Sequence, residues 1–418
     1  MSRRDFLEDF VGTSLWSVVP TKHRFRYRKD SNAGMKESHR LALTMGGVID
    51  RSLDDTDGLQ SSDYGSYQIF EKGDLAFKLI DLQNIKTSRV GLVPRRGIMS
   101  PAYIRLTPTS DGIYPEFFYW YFYAAYLGNI FNGLGGGIRQ NLSQTELLEF
   151  PVPDIPTEDQ VAIARFLDRE TGLIDGLIEK KTRFIALLKE KEKATISHLV
   201  RRGLDRNAPT TDSGVDWRGR VPAHWTRGRM KDHFRQEKRQ GYEDLTVLSV
   251  YREFGVIEKS SRDDNINKTP EDLTKYQLVN PNDLVINKMK AWQGSMGIAP
   301  MKGITSPDYV VMRPIGEHDP RYMHHYLRAQ PMPWVYRLIS NGIRTDQWRM
   351  EPEKFLCLPV FMSPIEEQRR IADQIDVELE RIRGLIALTE RSIDLLREKR
   401  AALITAAVTG KIDVRAAA

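Results

Sequence analysis

One short motif that could hold a reacting group occurs twice in the chain. The segment GIMSPAY spans residues 97–103, and GITSPDY spans residues 303–309. A Ser, Asn or Asp followed by Pro-Pro and an aromatic residue forms the loop with which amino-methyltransferases hold an exocyclic amine. Both copies here have one proline instead of two, and neither is accompanied by a glycine-rich cofactor loop in the required relation. The motif therefore favours a Ser-Pro turn that leads into a strand over a methyl-transfer site.

Two other patterns imitate phosphate-binding or nuclease motifs. The segment GLGGGIR at 133–139 lacks the Lys-Ser/Thr of a phosphate-binding loop, and its counterpart SNGIR has lost three glycines. Asp154, Glu179 and Lys181 resemble a nuclease set, but Asp154 lies in a predicted linker and the other two lie on a predicted helix. We therefore predict no catalytic residue in either pattern.

Metal ligands are also poorly represented. His324 and His325 are adjacent, so they cannot present two ligands on one helical face as an i, i+4 pair would. Cys357 is the only cysteine, which excludes an internal disulfide framework and a thiolate zinc cluster. A single cysteine also indicates a reducing compartment. We predict no metal site.

The charge balance and the hydropathy pattern limit the possible partners. Lys plus Arg number 62 and Asp plus Glu number 56, and the isoelectric point is about 9.1. This modest excess favours a polyanionic partner. The N-terminal sequence MSRRDFLEDF has no apolar core of a signal peptide, and the chain has no apolar run long enough to span a membrane. We therefore expect a cytoplasmic protein with no membrane partner.

The Ser-Pro motifs belong to a longer unit that occurs twice in the chain. YQIFEKGDLAFKL at 67–79 aligns with YQLVNPNDLVINK at 276–288, an offset of 276 − 67 = 209. The two Ser-Pro motifs follow at an offset of 303 − 97 = 206, and EDQ at 158 aligns with EEQ at 366. An offset this constant over more than a hundred residues indicates an internal duplication.

Each copy of the repeat consists of short runs followed by one long amphipathic pattern. The short runs are punctuated by Gly, Pro, Asn and Asp, which is typical of strands and loops with some helix. The long pattern in the second copy begins at Ser363-Pro364-Ile365-Glu366, a capping box with proline at the first helical position. An apolar seam with near-heptad spacing follows in both copies. Its members are Ile163, Leu167, Thr171, Ile174, Ile178, Ile185, Leu188, Thr195 and Leu199 in the first copy, and Ile371, Ile375, Leu379, Ile382, Ile386, Ile393, Leu396, Leu403 and Ala407 in the second.

These patterns predict an α+β fold with a pseudo-twofold internal repeat. Two mixed α/β domains, at 1–153 and 204–361, are separated by two long helices, at 154–203 and 362–418 with the tail. Because an isolated amphipathic helix of roughly 40 residues needs a partner, we expect the two helices to pair antiparallel as a coiled coil.

Several motifs resemble the specificity (S) subunit of type I restriction-modification enzymes, over essentially the whole chain. The most specific are PVPDIPTEDQVAIARFLD at 151–168 and SPIEEQRRIADQID at 363–376, which resemble the start of the family's long helices. DSGVDWRGRVPAHW at 212–225 is similar to the lead-in to a target-recognition domain, and GDL at 73 and NDL at 282 to a strand start. LWSVVPTKHRF at 15–25 departs from the family because it lacks the second tryptophan present at Trp225.

The resemblance implies a non-catalytic subunit of a restriction system that reads a bipartite, asymmetric site in double-stranded DNA. Each target-recognition domain would read one half-site, and the helices would set the gap and dock two methyltransferase (M) subunits. Restriction (R) subunits would join that complex. S-adenosylmethionine, ATP and Mg would belong to these partner subunits, with no cofactor in this chain. Two alternatives stay open: a self-contained nuclease or methyltransferase, and a coiled-coil adaptor that never contacts DNA.

Candidate DNA-binding residues are polar, basic or aromatic side chains at matching places in the two copies. Arg and Lys suit guanine and phosphate, and Gln suits adenine. Lys78 corresponds to the region of Lys288 and Lys290, and the residue that aligns with Arg89 is Met296. The candidates are Lys78, Arg89, Arg139, Gln140, Lys288, Lys290, Trp292, Arg344 and Gln347.

Overall fold

The chain folds into two compact units connected by two long helices. The computed structural model describes residues 10–12, 14–53, 63–80, 82, 88–134, 141–262, 269–342 and 348–414. Unit 1 comprises residues 1–182 and 390–418, and unit 2 comprises residues 183–389. Both unit boundaries fall within the long helices, so each unit contains one strand-rich part and a portion of both helices. The division at 153, 203 and 361, which treats each helix as a separate domain, stays a prediction.

Unit 1 begins with the strand-rich part of the first repeat. Its strands are β1 (Val18–Pro20), β2 (Phe25–Arg28), β3 (Arg40–Thr44), β4 (Gly47–Arg51), β5 (Gln68–Phe70), β6 (Leu75–Phe77), β7 (Val90–Leu92), β8 (Gly97–Met99), β9 (Ile104–Pro108) and β10 (Pro151–Pro153). Its shorter helices are Pro115–Leu127, Ile130–Leu134 and Gln144–Glu149. The first long helix, Thr157–Arg202, begins here.

Unit 2 contains the strand-rich part of the second repeat. Its strands are β11 (Thr210–Asp212), β12 (Arg220–Pro222), β13 (Thr226–Arg229), β14 (Phe234–Gln236), β15 (Leu248–Tyr251), β16 (Gly255–Glu258), β17 (Gln277–Val279), β18 (Leu284–Asn287), β19 (Met296–Ile298), β20 (Gly303–Thr305), β21 (Tyr309–Pro314), β22 (Ser340–Asn341), β23 (Arg349–Met350) and β24 (Pro359–Met362). Its shorter helices are Pro320–Arg328, Met332–Leu338 and Pro352–Leu356, and the second long helix, Ile365–Val408, begins here.

The two units have matching sheet topologies, which confirms the predicted mixed α/β fold and its repeat. Unit 1 contains a four-stranded sheet in the order β2-β9-β6-β7, and unit 2 contains one in the order β14-β21-β18-β19. In both sheets the strand pairs are antiparallel. The pairs β5–β8 and β1–β10 of unit 1 likewise correspond to β17–β20 and β13–β24 of unit 2.

A buried glutamine joins the start of each long helix to the unit around it. The side chain of Gln160 accepts a hydrogen bond from the backbone N–H of Tyr114 (2.8 Å) and donates to the carbonyl of Ile155 (3.0 Å). Gln368 accepts from the N–H of Asp319 (3.0 Å) and donates to the carbonyl of Ser363. Tyr114 and Asp319 each precede the helix that begins at Pro115 or Pro320. The Glu-Gln motif therefore fixes a helix-to-helix connection.

Within each unit, portions of the two long helices pack antiparallel. In unit 1, Ile163 and Leu167 share a core with Ile404 and Val408, and Asp175, farther along the first helix, pairs with Arg400 (2.9 Å). In unit 2, the same relation joins the last part of the first helix to the first part of the second. There Leu199 and Val200 share a core with Ile371 and Ile375, and Glu192 lies 3.8 Å from Arg383.

The predicted seam is buried or half-buried at every position in both helices, as expected for its spacing. Thr171, one of two threonines in the seam, donates its hydroxyl hydrogen bond to the carbonyl of Leu167 (2.6 Å). The polar group is therefore satisfied within the helix itself. In the described part of the chain, no helix is long and apolar enough to cross a membrane.

The backbone connections correct the predicted departure at the N-terminus. Thr21 donates to the carbonyl of Phe150, and Met230 makes the same bond to Leu358. This register aligns Trp16 with Trp225, so unit 1 does contain the tryptophan that the sequence motif lacked. In the sequence motif Trp16 counts as the first of two tryptophans, because it precedes Val-Pro as Trp217 does, whereas the backbone register makes it the counterpart of the second, Trp225.

Candidate nucleic-acid interface

The described candidate residues lie at the same end of the central sheet in each unit. In unit 2, β18 ends at Asn287, which pairs with Tyr309 at the start of β21. Lys288 and Lys290 follow immediately, and Lys290 is exposed. In unit 1, β6 ends at Phe77 opposite Ile104, and Lys78 follows. The sheet register therefore makes Lys78 the counterpart of Asn287, one residue before Lys288, and places lysines at the same end of both sheets.

A short turn of defined geometry carries the lysines of unit 2. The N–H of Lys290 donates to the carbonyl of Asn287 (3.1 Å), and the N–H of Gln293 donates to the carbonyl of Lys290. The turn ends at Gly294, whose φ of +88° is the left-handed conformation that favours glycine. These bonds give Lys290 a fixed backbone position on the surface.

Aromatic and basic side chains surround this turn. The indole N–H of Trp292 donates to the carbonyl of Met289 (3.1 Å), and its ring lies edge-on to Trp348 with centroids 5.7 Å apart. The guanidinium of Arg337 lies 5.0 Å from the centroid of Trp348. Arg349, on β23, is exposed and contacts the sulfur of Met289. Basic residues that bind phosphate and rings that can stack on bases thus occur together.

The sequence comparison did not select Arg337 and Arg349. Their only signal in the sequence is their distance from Trp348: Arg349 directly follows it, and Arg337 lies eleven residues before it. Folding brings Arg337 to Trp348 because helix Met332–Leu338 packs against the turn that contains Trp292.

The two Ser-Pro motifs are turns at this end of the sheet, and each is held by a buried glutamine. Gln277 donates its side-chain amide to the carbonyls of Ser306 (3.3 Å) and Tyr309 (2.9 Å). Gln68 makes the equivalent bonds to the carbonyls of Ser100 and Tyr103. The Ser-Pro turn therefore leads into a strand in both units, as predicted.

The tyrosine of each motif is a neutral phenol built into the turn. Burial raises the pKa of Tyr103, and burial also raises the pKa of Tyr309, against the lowering effect of hydrogen bonds with Ser249 and Asn287. The hydroxyl oxygen of each serine accepts a bond from the backbone of its own turn. These contacts give the motif a structural role.

Arg89, in unit 1, is an internal residue in this structure. Its side chain is 1% exposed, and its guanidinium donates to the carbonyl of Leu82 (2.8 Å), which also accepts from Asn132. Its backbone carbonyl accepts from the N–H of Lys78. By the strand register, the residue of unit 2 that is equivalent to Arg89 is Ser295. The sequence alignment had paired Arg89 with the next residue, Met296. A DNA contact by Arg89 stays a prediction.

The remaining candidates, Arg139, Gln140, Arg344 and Gln347, lie outside the described residues. The chain that follows each of the two segments is described. Leu142 donates its N–H to the carbonyl of Leu79 (2.9 Å), and Met350 donates to the carbonyl of Lys288 (3.0 Å). The described chain after both segments therefore lies at the sheet end that carries the lysines.

The patterns that imitated metal or nuclease sites have other contacts. Asp154 forms an ion pair with Arg24. His324 and His325 are largely buried, and burial, with a smaller effect of Arg328 on both, lowers the pKa of His324 to about 3 and that of His325 to about 4. Within the described residues, we find no group of three or more His, Cys, Asp or Glu side chains placed to hold a metal ion.

The fold is shared with solved structures of type I restriction-modification proteins. A chain from a study of complex assembly and conformational transition of the type I R-M system matches with a TM-score of 0.62 and 14% identity, covering 95% of this chain and 98% of that one. The HsdS subunit from Thermoanaerobacter tengcongensis matches with a TM-score of 0.53 and 12% identity, covering 95% and 97%. No family model and no curated protein sequence matches this chain. At these identities the likeness shows a common fold over nearly the full length of both chains.

Proposed function

We propose that this protein is the non-catalytic DNA-recognition subunit of a type I restriction-modification complex. The observation that carries the proposal is the duplicated unit with lysines at the same end of each central sheet. Two similar readers in one chain suit a bipartite site, and their sequence differences suit an asymmetric one. The full-length likeness to HsdS structures supports the same function.

The chemistry at the sheet end of unit 2 suits a DNA duplex. Lys288, Lys290, Arg337 and Arg349 can neutralise phosphates, which fixes the position of the protein on the duplex. Sequence would be read by side chains of neighbouring loops at base edges, where Arg344, Gln347, Arg139 and Gln140 remain candidates. The rings of Trp292 and Trp348 contact each other beside these cations.

The long helices offer surfaces for two equivalent partners. Outside the buried seam, each helix exposes large apolar side chains: Leu173, Leu177, Phe184 and Leu187 on the first, and Val377, Leu385, Leu388 and Leu395 on the second. Leu177 and Leu385 occupy equivalent repeat positions, as do Leu187 and Leu395. We propose that these positions dock two M subunits, and that R subunits join the complex. S-adenosylmethionine, ATP and Mg would then be bound by those partners in the cytoplasm.

A domain exchange tests the proposal. The chain is produced with its M subunits in a host whose DNA is then mapped for methylated adenine. Replacing residues 204–361 by the same region of another S subunit should change one half of the target and leave the other half unchanged. A change in both halves, or methylation without this chain, would contradict the proposal.

Docking has its own test. Leu177→Glu together with Leu385→Glu should prevent co-purification of the M subunits, because a buried carboxylate would replace an apolar contact. Glu179→Ala with Glu390→Ala is the control, since both side chains are exposed and polar on the same helices. Normal M binding by the leucine variant would exclude this face as the docking site.

A further inference from the structure

The helix Met332–Leu338 of unit 2 exposes two large apolar side chains. Trp334 is 52% exposed and Leu338 is 60% exposed, and their spacing of four residues places them on one face of the helix. Met332, Val335 and Tyr336, on the other face, are buried in the core of the unit. The helix is therefore anchored from within while it presents a tryptophan and a leucine to solvent.

This exposed face borders the basic turn of the candidate interface. Pro333 packs against the turn, because a β-carbon on Gly294 would lie 3.3 Å from its Cγ. Arg337, three residues after Trp334 on the same helix, lies against Trp348, which in turn contacts Trp292. The helix that carries Trp334 is therefore joined through Pro333 and Arg337 to the turn that follows Lys290.

The charge around this face selects among possible partners. A protein interface is commonly depleted of lysine at its centre, whereas this helix carries Arg337 and packs against the turn that directly follows Lys288 and Lys290. Several DNA-binding proteins combine these features: cations hold the phosphates, and an apolar side chain enters between two base pairs and kinks the duplex. The helix is held by its buried face, which gives the wedge the rigid support that such insertion requires.

We propose that Trp334, supported by Leu338, inserts into the base stack of the target duplex next to the half-site read by unit 2. This inference rests on the proposed DNA-recognition function and adds a deformation to it. Because pyrimidine–purine steps unstack most readily, the insertion adds sequence preference at a step that unit 2 reads through deformability. That preference falls on a step beside the half-site of unit 2.

The test uses the full chain with its M subunits and duplexes that carry the mapped target. 2-Aminopurine replaces one base at a time across and beside the half-site of unit 2, and its fluorescence rises where the base is unstacked. With the native protein we expect a rise at one step apart from the target adenine, and no rise at that step with Trp334→Ala, whereas the rise from flipping of the adenine by the M subunits should occur with both. The affinity of that variant should fall roughly ten-fold, since stacking on an aromatic ring contributes about 1–3 kcal/mol per base. Trp334→Phe should retain most of both effects.

The salt dependence of DNA affinity distinguishes a loss of base insertion from a loss of phosphate contacts. The logarithm of the affinity should fall with the logarithm of the salt concentration at the same slope in Trp334→Ala as in the native protein, because no phosphate contact is removed. Ile315→Ala is the matched control. Ile315 is 47% exposed and follows β21 at the opposite end of the same sheet, next to the Phe234–Pro314 pair.

Three other outcomes would contradict the proposed function or the insertion. Failure of the native complex to bind the duplex would overturn the proposed function and the inference with it. Native binding with the same fluorescence and affinity in Trp334→Ala would overturn the insertion and leave the proposed function intact. Loss of M-subunit binding in Trp334→Ala, with native 2-aminopurine fluorescence, would show that the face contacts protein and would equally overturn the insertion.

Discussion

Gly410, just after the second long helix, lies against the indole ring of Trp16: a β-carbon at this glycine would come within 2.9 Å of Cε2 and Cζ2. Gly203, just after the first long helix, also faces a tryptophan: a β-carbon there would lie 3.5 Å from Cζ2 of Trp225 and 2.6 Å from a carboxylate oxygen of Glu367. Both glycines have positive φ, +77° at Gly410 and +76° at Gly203. A tryptophan thus covers the end of one long helix in each unit.

Gly410→Ala should destabilise unit 1. The substitution combines left-handed strain with displacement of a packed ring, so we expect a loss of about 1–3 kcal/mol in the free energy of unfolding. Urea denaturation followed by tryptophan fluorescence measures it. Gly384→Ala is the control, because that glycine lies within the second long helix with open space around it and should gain about 0.5–1 kcal/mol. Equal stability of the two variants would contradict the close packing at Trp16.

Gln368→Ala should loosen the start of the second long helix. The change leaves the buried N–H of Asp319 and the carbonyl of Ser363 without their side-chain partner, which costs about 2–4 kcal/mol for two such groups. Hydrogen exchange at the first turns of helices Pro320–Arg328 and Ile365–Val408 should rise most. Gln374→Ala, on an exposed face of the same helix, should change the stability by less than about 0.5 kcal/mol.

Unit 2 should lose stability in mild acid. Burial lowers the pKa of His318 to about 4, that of His324 to about 3 and that of His325 to about 4. Because these folded-state pKa values lie below the usual 6.5, the unfolded chain binds more protons as the pH falls from about 6.5 towards 4. Stability is therefore retained above about pH 6.5 and falls below it, by about 1.4 kcal/mol per pH unit for each proton taken up.

Proteolysis at pH 7 and at pH 5 should measure this loss, with earlier cleavage in unit 2 at the lower pH. His324→Gln is the matched variant: its uncharged side chain can still accept a hydrogen bond from Arg328, as the imidazole of His324 does. Between about pH 6.5 and pH 4, this variant should take up about one proton fewer on unfolding than the native protein, so its stability should fall less steeply with decreasing pH. An unchanged slope would exclude His324 as a source of the acid sensitivity.

Lys290→Ala should reduce the salt dependence of DNA binding. Each phosphate contact contributes a slope of about −0.9 in the plot of log affinity against log salt concentration, so losing one should make the slope shallower by about that amount. Lys231→Ala should leave the slope unchanged, because this exposed lysine precedes β14 at the opposite end of the sheet. Fluorescence anisotropy with the mapped duplex over a salt series measures both. A native slope in Lys290→Ala would remove this lysine from the interface.

The sequence determined those features that depend on local periodicity and on repetition. The spacing of Ile371, Ile375 and Leu379 predicts a buried helical stripe because residues three to four apart share a face, and the structure buries all three. The repeated GDL, NDL and Ser-Pro segments likewise predict equivalent strands and turns, since identical local patterns form identical local structures. Four of the nine candidate residues, Lys78, Lys288, Lys290 and Trp292, could be placed at the sheet end in this way.

Only the tertiary structure decided which distant residues meet. Arg89 and Lys290 are both basic residues in loops after equivalent strands, yet one is buried against the carbonyl of Leu82 and the other is exposed. Arg337 reaches Trp348 because a helix packs on a turn some forty residues earlier in the chain. Burial and such contacts depend on how elements far apart in sequence pack. The pattern of residues along one element carries no record of its neighbours in space, and for this reason the exposed wedge and the tryptophan over each helix end appear only in the folded chain.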